Sequence, residues 1–277
     1  MIKSSLTQII KKHRLASAAS LVLLAIIMAA VLAPWITPYG VNEYDYMASR
    51  KPPSKDHWLG TDMMGRDILT RVIFAARLSL MVGILTVLFG GTLGICMGTP
   101  SGYFGGWVES VVMRIVDIGL SFPLIILAIL ITAFFGGGLL TLVLAIGVTR
   151  SFRMARIAHA ATRQVAEQDY ISAAQGLGNS STMIMIKHVL PNILAPVMVR
   201  ATLDFAIVIL VEASLSFLGL GIPPPTPSWG SLINSGRDAL QTAPWISFSG
   251  GAALFITLVN ANLVGDGLRD LLDPKVG

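Results

Sequence analysis

Long apolar runs alternate with short polar segments along most of this chain. Five of the six runs approach the roughly 20 residues that an α-helix needs to cross a bilayer. We therefore predict an all-α integral membrane protein with six transmembrane helices. The predicted spans are residues 15–33, 78–98, 113–135, 139–149, 196–217 and 245–264.

The polar segments divide the chain further. Residues 1–14 form a basic head, predicted to be cytoplasmic, and a cleaved signal peptide is the alternative to a retained first span over 15–33. Residues 34–76 are predicted to be an external loop, in which Asp62 caps an amphipathic helix. The apolar residues of that helix recur at helical spacing: Ile68, Leu69, Val72, Ile73 and Ala76. Residues 77–277 would hold spans two to six.

The longest patterned polar segment, residues 169–191, reads DYISAAQGLGNSSTMIMIKHVLP. It predicts two short helices around a tight turn. Asp169 can cap the first helix, and Gly178 can end it, because glycine adopts the left-handed conformation without strain. Caps for the second helix are available at residues 179–181, and Pro191 is expected to end it. We call residues 169–191 the elbow.

Several residues of the elbow stand at the spacing of a known motif: Ser172, Ala173, Ala174, Gly178, His188, Leu190 and Pro191. This spacing resembles the EAA loop of ABC-importer permeases, with Ser172 in place of the Glu and His188 in place of the Ile. The resemblance implies a cytoplasmic coupling helix between spans four and five, in a loop of about residues 163–195, that docks on a cytosolic ATPase. A DNA-binding helix-turn-helix is the alternative. Lys187 is the only permanent cation in the second helix, so we expect no nucleic-acid partner.

Three further segments resemble permeases of the dipeptide/oligopeptide/nickel type. They are residues 60–67, with GTD followed by GRD, residues 216–230, SFLGLGIPPPTPSWG, and residues 265–275, GDGLRDLLDPK. The resemblance implies a permease subunit that forms half of the pathway for di- or oligopeptides delivered by an external binding protein. It also implies a second homologous permease subunit, in a heterodimer, and two cytosolic ATPase subunits. Nickel or a metal chelate is the alternative ligand, and residues 60–67 could either dock the binding protein or simply lie at the membrane interface.

Composition agrees with a membrane location. Of the 277 residues, 54% are hydrophobic and 13% charged, against about 25% charged in soluble domains, and the mean hydropathy is +0.73. The sequence contains no phosphate-binding loop, no zinc-binding HExxH pattern and no nucleophile elbow. We therefore expect a transport subunit rather than an enzyme, with no catalytic residues, cofactor or metal. A secondary transporter and a membrane scaffold are the alternatives from other classes.

Polar residues inside the predicted spans are candidates for the transport pathway. Asp204 and Glu212 lie in span five and Asn260 in span six. A charge at the bilayer centre costs about 3 kcal/mol, so it usually faces a cavity or a partner. A buried hydrogen bond between helices is the alternative, notably for Glu212. Span two is rich in glycine, which lets helices approach closely.

Basic residues indicate the orientation. Arg150, Arg153 and Arg156 follow span four at intervals of three, and could contact either lipid headgroups or the ATPase. With a cytoplasmic amino terminus, the inner segments hold 12 Lys and Arg and the outer segments hold six. The positive-inside rule thus predicts a multi-pass protein of the bacterial cytoplasmic (inner) membrane with both termini in the cytoplasm.

Overall fold

The computed structural model describes residues 14–272, and the regular structure of this part is almost entirely helical. Its α-helices are α1 Arg14–Ile36, α2 Ile68–Phe104, α3 Gly106–Ser121, α4 Leu124–Phe135, α5 Leu139–Ala166, α6 Asp169–Gly176, α7 Ser181–Ile184, α8 Leu190–Phe217, α9 Trp229–Ser235 and α10 Trp245–Leu272. A π-helix, Met185–Val189, joins α7 to α8. The predicted all-α class is confirmed. Residues 1–13 of the basic head and residues 273–277 of the tail lie outside the described residues.

Four stretches of helix are long and apolar enough to cross a membrane. They are α1, α2, the continuous run Ser181–Phe217, and α10. Helices α3 and α4 together could form a fifth span, although they meet at 87°. Helix α5 has only 11 residues, 139–149, before its first arginine, so the count of six spans stays a prediction.

The second span and the amphipathic helix predicted before it form one helix. Helix α2 runs for 37 residues without a break, and its N-cap is Asp67, which accepts a hydrogen bond from the Thr70 amide at 2.8 Å. The predicted cap at Asp62 is wrong. The Asp62 carboxylate is instead 2.7 Å from Arg66 Nε and 3.7 Å from Arg71 Nε, so it is occupied by ion pairs with Arg66 of the loop and Arg71 of α2.

Helices α2 and α5 form the centre of the fold. Gly90, Gly94, Gly98 and Gly102 recur every fourth residue of α2 and face α5. A Cβ atom at Gly90 would lie 2.7 Å from the carbonyl oxygen of Gly147, closer than real contacts allow. Glycine is therefore required along this stripe, because a methyl group would hold the two backbones apart.

The third predicted span is broken at Pro123, because proline removes a backbone hydrogen bond and clashes with the preceding turn. Helix α3 ends at Ser121, α4 begins at Leu124, and the two axes diverge by 87°. Helix α4 packs on α5 through Ala128, which has no exposed surface. The bend thus folds this segment against the central pair.

The loop before α2 and the start of α2 are hydrogen-bonded to α10 and α9, respectively. The Thr61 carbonyl accepts a hydrogen bond from Trp245 Nε1 at 3.1 Å, and the Val72 carbonyl accepts one from Trp229 Nε1 at 3.2 Å. Gly65 has a φ of +74° and passes directly against the Asp45 backbone, so a side chain has no room there. This loop and the elbow lie at opposite ends of α2, whose 37 residues span about 55 Å.

Candidate functional site: the elbow and the interior charged residues

A complete C-terminal cap ends the first helix of the elbow. Gly178 has a φ of +79°, as predicted from its position. Its amide donates to the Gln175 carbonyl at 2.9 Å, and the Asn179 amide donates to the Ala174 carbonyl at 3.4 Å. These two bonds form a Schellman motif. The side chain of Asn179 adds a third bond, from Nδ2 to the same Ala174 oxygen at 2.9 Å.

The start of the elbow differs from the prediction. Gln168 is the N-cap of α6 and makes no capping bond with its side chain, while Asp169 is the first helical residue. Asp169 therefore acts on the helix through its charge near the positive helix end, not as the cap. Ser180, one of the three predicted caps, does cap α7 by accepting the Met183 amide at 3.3 Å.

Pro191 does not end the second helix. The chain continues through the π-helix Met185–Val189 directly into α8. The Leu190 amide bonds to the Met185 carbonyl, five residues back. This wider turn accommodates the proline ring, which would clash with a carbonyl in a regular α-helix. The elbow is therefore joined rigidly to the span that follows it.

Apolar contacts fix the elbow against the membrane helices. Ile171, Ala174 and Ile184 of the elbow are buried in one cluster with Ala158 of α5 and Ile193 of α8. Outside this cluster, Gln175 Nε2 donates to Tyr103 Oη of α2 at 3.2 Å. The elbow is thus one packed unit with the two helices that enter and leave it.

The predicted coupling residues divide between the inner and outer faces of the elbow. Ala174 is buried, His188 and Leu190 are half-buried, and the others are exposed: Asp169, Ser172, Ala173, Gly178 and Pro191. Sequence reasoning missed Leu177, whose side chain is 83% exposed at the tip. Tyr170, Met183 and Ile186 are exposed apolar residues of the same unit. The available signal was a large apolar residue between Gly176 and Gly178, where the helix must end.

Asp204 lies in a buried ion cluster between α5 and α8. Its Oδ1 atom contacts Arg150 of α5 and lies 2.8 Å from Arg200 Nη2, one turn before it on α8. The sequence alternatives for Arg150 were lipid headgroups or the ATPase. Both are wrong for this residue, because its side chain is buried against Asp204. Arg156 likewise pairs with Asp117 of α3.

Glu212 is fully buried where α2 meets α8. It accepts hydrogen bonds from Ser79 of α2 at 3.0 Å and from Ser216 at 2.7 Å. This is the interhelical hydrogen bond that the sequence left open as the alternative to a pathway role, and the pathway role stays a prediction. Asn260 is half-buried, and its Nδ2 atom donates to the Ile256 carbonyl of its own helix at 2.7 Å.

A third polar cluster joins α2, α3 and α5 near the elbow. His159 lies between Ser101 Oγ, 3.1 Å from its Nδ1 atom, and Glu109 Oε1, 3.2 Å from its Nε2 atom. Arg163 Nη1 contacts the same Glu109 oxygen at 2.9 Å. The cluster therefore holds the elbow end of α5 against its neighbours.

Membrane-length helices joined through a packed helical elbow define an integral membrane protein. Residues 90–277 match the family described as binding-protein-dependent transport system inner membrane component. Residues 7–53 match the N-terminal transmembrane domain of oligopeptide transport permease C. The chain belongs to this family of ABC-transporter permeases. It is a multi-pass inner-membrane transport subunit that works with ATPase partners, and it is not itself an enzyme.

Individual relatives agree with this assignment. The dipeptide transport system permease protein of Alkalihalophilus pseudofirmus is 39% identical over 96% of this chain and 88% of its own length. The glutathione transport system permease protein of Escherichia coli O157:H7 is 38% identical over the same shares. The oligopeptide transport system permease protein of Bacillus subtilis is 37% identical over 96% and 87%. The resemblance seen in the sequence motifs is confirmed.

A solved structure shares the fold. A chain of the inward-facing MetNI methionine ABC transporter aligns with a TM-score of 0.61, over 74% of this chain and 98% of its own length. The sequence identity is 18%, so this likeness concerns the fold alone.

Proposed function

We propose that this chain is one of two homologous permease subunits of an ATP-driven importer of di- or oligopeptides. Two cytosolic ATPase subunits and an external binding protein would complete the transporter, with a heterodimer of permeases at its centre. The peptide ligand is supported by relatives that are named for dipeptides, oligopeptides and glutathione. Nickel or a metal chelate is the alternative ligand, and no group of three His, Cys, Asp or Glu side chains within residues 14–272 favours it.

The observation that supports ATPase docking is the apolar tip of the elbow. Leu177 has 83% of its side chain exposed, and the Schellman motif beside it fixes its position. An exposed leucine at the tip of a rigid projection is suited to a pocket on a partner. Because α5 enters the elbow and α8 leaves it, movement of a docked elbow would tilt both helices. The two helices and the elbow would then alternate between two arrangements as the ATPases close and open.

Substitution of Leu177 by Asp tests the docking. Placing a charge in an apolar contact should abolish co-purification of the ATPase subunits in mild detergent and stop ATP-dependent uptake. The matched control is Met47→Asp, which changes an 89% exposed apolar residue in the loop at the other end of α2. This variant should retain the ATPase. Retention of the ATPase by Leu177→Asp at the wild-type level would refute the docking.

The proposed orientation places the elbow and both termini in the cytoplasm. It is supported by the distribution of Lys and Arg, and by the length of α2, which separates the elbow from the loop before Ile68. In a Cys96→Ser background, a membrane-impermeant maleimide should label Lys55→Cys in intact cells and should label Thr182→Cys only after lysis. Labelling of Thr182→Cys from outside would overturn the orientation and the docking with it.

A further inference from the structure

A cavity of about 740 Å³ opens at the bend between α3 and α4. Its walls come from residues 119–125 at the bend, residues 149–153 of α5 and residues 207–214 of α8. Its volume lies within the roughly 300–1,000 Å³ that is usual for small-molecule sites. The cavity therefore has room for a small ligand and lies between the two helices that flank the elbow.

The cavity lies beside the middle of α5. Arg150 is the twelfth residue of α5, so it lies about 17 Å along the helix from Leu139. Ala166 is 16 residues further, about 24 Å in the other direction.

The only charged residues in the wall of the cavity, within residues 14–272, are Arg150 and Arg153. Most of the other lining side chains are apolar. Three hydroxyl groups also line the cavity, but Ser121, Thr149 and Ser214 each donate their proton to a carbonyl of their own helix. The two guanidinium groups are thus the donors that remain for a ligand.

Positive charge exceeds negative charge around this cavity. Arg150 and Arg200 share a single oxygen of Asp204, and Nε of the buried Arg150 has no hydrogen-bond partner in the described chain. Arg153 is exposed, and no carboxylate of residues 14–272 forms an ion pair with it. A buried charge without a full counter-charge is costly, and an incoming anion would offset it.

We propose that Arg150 and Arg153 bind the free carboxylate of the transported peptide in this cavity. The inference rests on the proposed function, because it identifies the part of a peptide ligand that this subunit recognises. A guanidinium group presents paired N–H donors that match the two oxygens of a carboxylate. The apolar walls then face the rest of the peptide without selecting its side chains. Peptides of varied sequence share this terminal carboxylate, so one site can serve many of them.

Arg153→Gln is the informative variant, because Arg153 is exposed and unpaired and its removal disturbs no buried contact. The complete transporter with its binding protein is reconstituted in liposomes of zwitterionic lipid. ATP-dependent uptake is measured for alanyl-alanine and for its C-terminal amide, each at a concentration that saturates the binding protein. The matched control is Arg156→Gln, one turn further along α5, whose arginine pairs with Asp117 and does not line the cavity.

The wild type should take up the free dipeptide at least about tenfold faster than the amide, as expected for a hydrogen bond between charged groups. Arg153→Gln should reduce this ratio to near one, by slowing uptake of the free dipeptide only. Arg156→Gln should change both rates equally and keep the wild-type ratio.

A wild-type ratio retained by Arg153→Gln would overturn the inference and leave the proposed function standing. The inference would also be overturned, with the proposed function left standing, if the uptake ratio of Arg153→Gln differed from that of the wild type only when anionic lipid was added. The arginines would then bind lipid headgroups. Absence of ATP-dependent uptake of either peptide by the wild type would overturn the proposed function, and the inference would fall with it.

Discussion

Substitution of Gly94 by Ala tests the close packing of α2 on α5. A Cβ atom at Gly94 would lie 2.6 Å from Met154 Cβ, 2.7 Å from the Ser151 carbonyl oxygen and 2.8 Å from Met154 Cγ. Ordinary contacts of such an atom begin near 3.4 Å, so the helices must separate by several tenths of an ångström. The Ser151 carbonyl and the Met154 Cβ atom cannot rotate away, because both are fixed to the backbone of α5.

Gly91 provides the matched control, because it lies one turn earlier on the same helix and a Cβ atom there would meet nothing within 4 Å. Alanine is favoured over glycine in a helix by about 0.5–1 kcal/mol, and this gain applies to both variants. The difference between the variants therefore isolates the packing cost, which is about 1–3 kcal/mol for an added methyl group in a packed interior. That cost corresponds to about a 5- to 150-fold change in the unfolding equilibrium.

Thermal unfolding of the purified transporter in mild detergent measures this difference. Gly94→Ala should melt several degrees below Gly91→Ala, since each kcal/mol shifts the melting temperature by about 2–4 °C in chains approaching this size. Gly91→Ala should melt at or above the wild-type temperature. Equal melting temperatures for the two variants would refute the proposed role of the glycine stripe.

Three further predictions concern the elbow and the buried acids. Gly178→Val should lower peptide uptake and transport-coupled ATPase activity without reducing membrane insertion, because a β-branched residue in the left-handed conformation costs at least about 1–2 kcal/mol. Gly178→Asn should retain most activity, and equal activity of the two variants would contradict the prediction. Asp204→Asn should destabilise the protein by about 3–5 kcal/mol, measured by thermal unfolding, because it leaves the Arg150 guanidinium buried without its counter-charge. Glu212→Gln should transport normally while Glu212→Ala unfolds more easily, because Gln still bonds to the serine hydroxyls; loss of transport in the stable Gln variant would instead indicate a pathway role.

The elbow was predictable because its signals are local. Gly178 requires a left-handed backbone, and Ser180 offers a side-chain acceptor to the next turn, whatever the rest of the chain does. Pro191 was misread because its effect depends on the preceding turn. The π-helix before it removes the clash that would otherwise end the helix, and nothing in the local sequence distinguishes these two outcomes.

The cap of α2 was misplaced for a different reason. Asp62 and Asp67 both precede the same helix, and either can cap it by composition. The choice depends on Arg66 and Arg71, whose guanidinium groups are brought to Asp62 only when the loop folds. Because Asp62 pairs with these two arginines, Asp67 is the aspartate that caps the helix.

The sequence by itself determined the helical class, the membrane location and the turn at Gly178. These follow from hydrophobic runs and from backbone restrictions within a few residues. Only the tertiary structure decided that Arg150 pairs with Asp204, that Glu212 bonds to Ser79, and that a cavity lined by Arg150 and Arg153 lies between α5 and α8. Ser79 and Glu212 are 133 residues apart, and such pairings are fixed by how whole helices pack, which the order of residues in one helix does not specify.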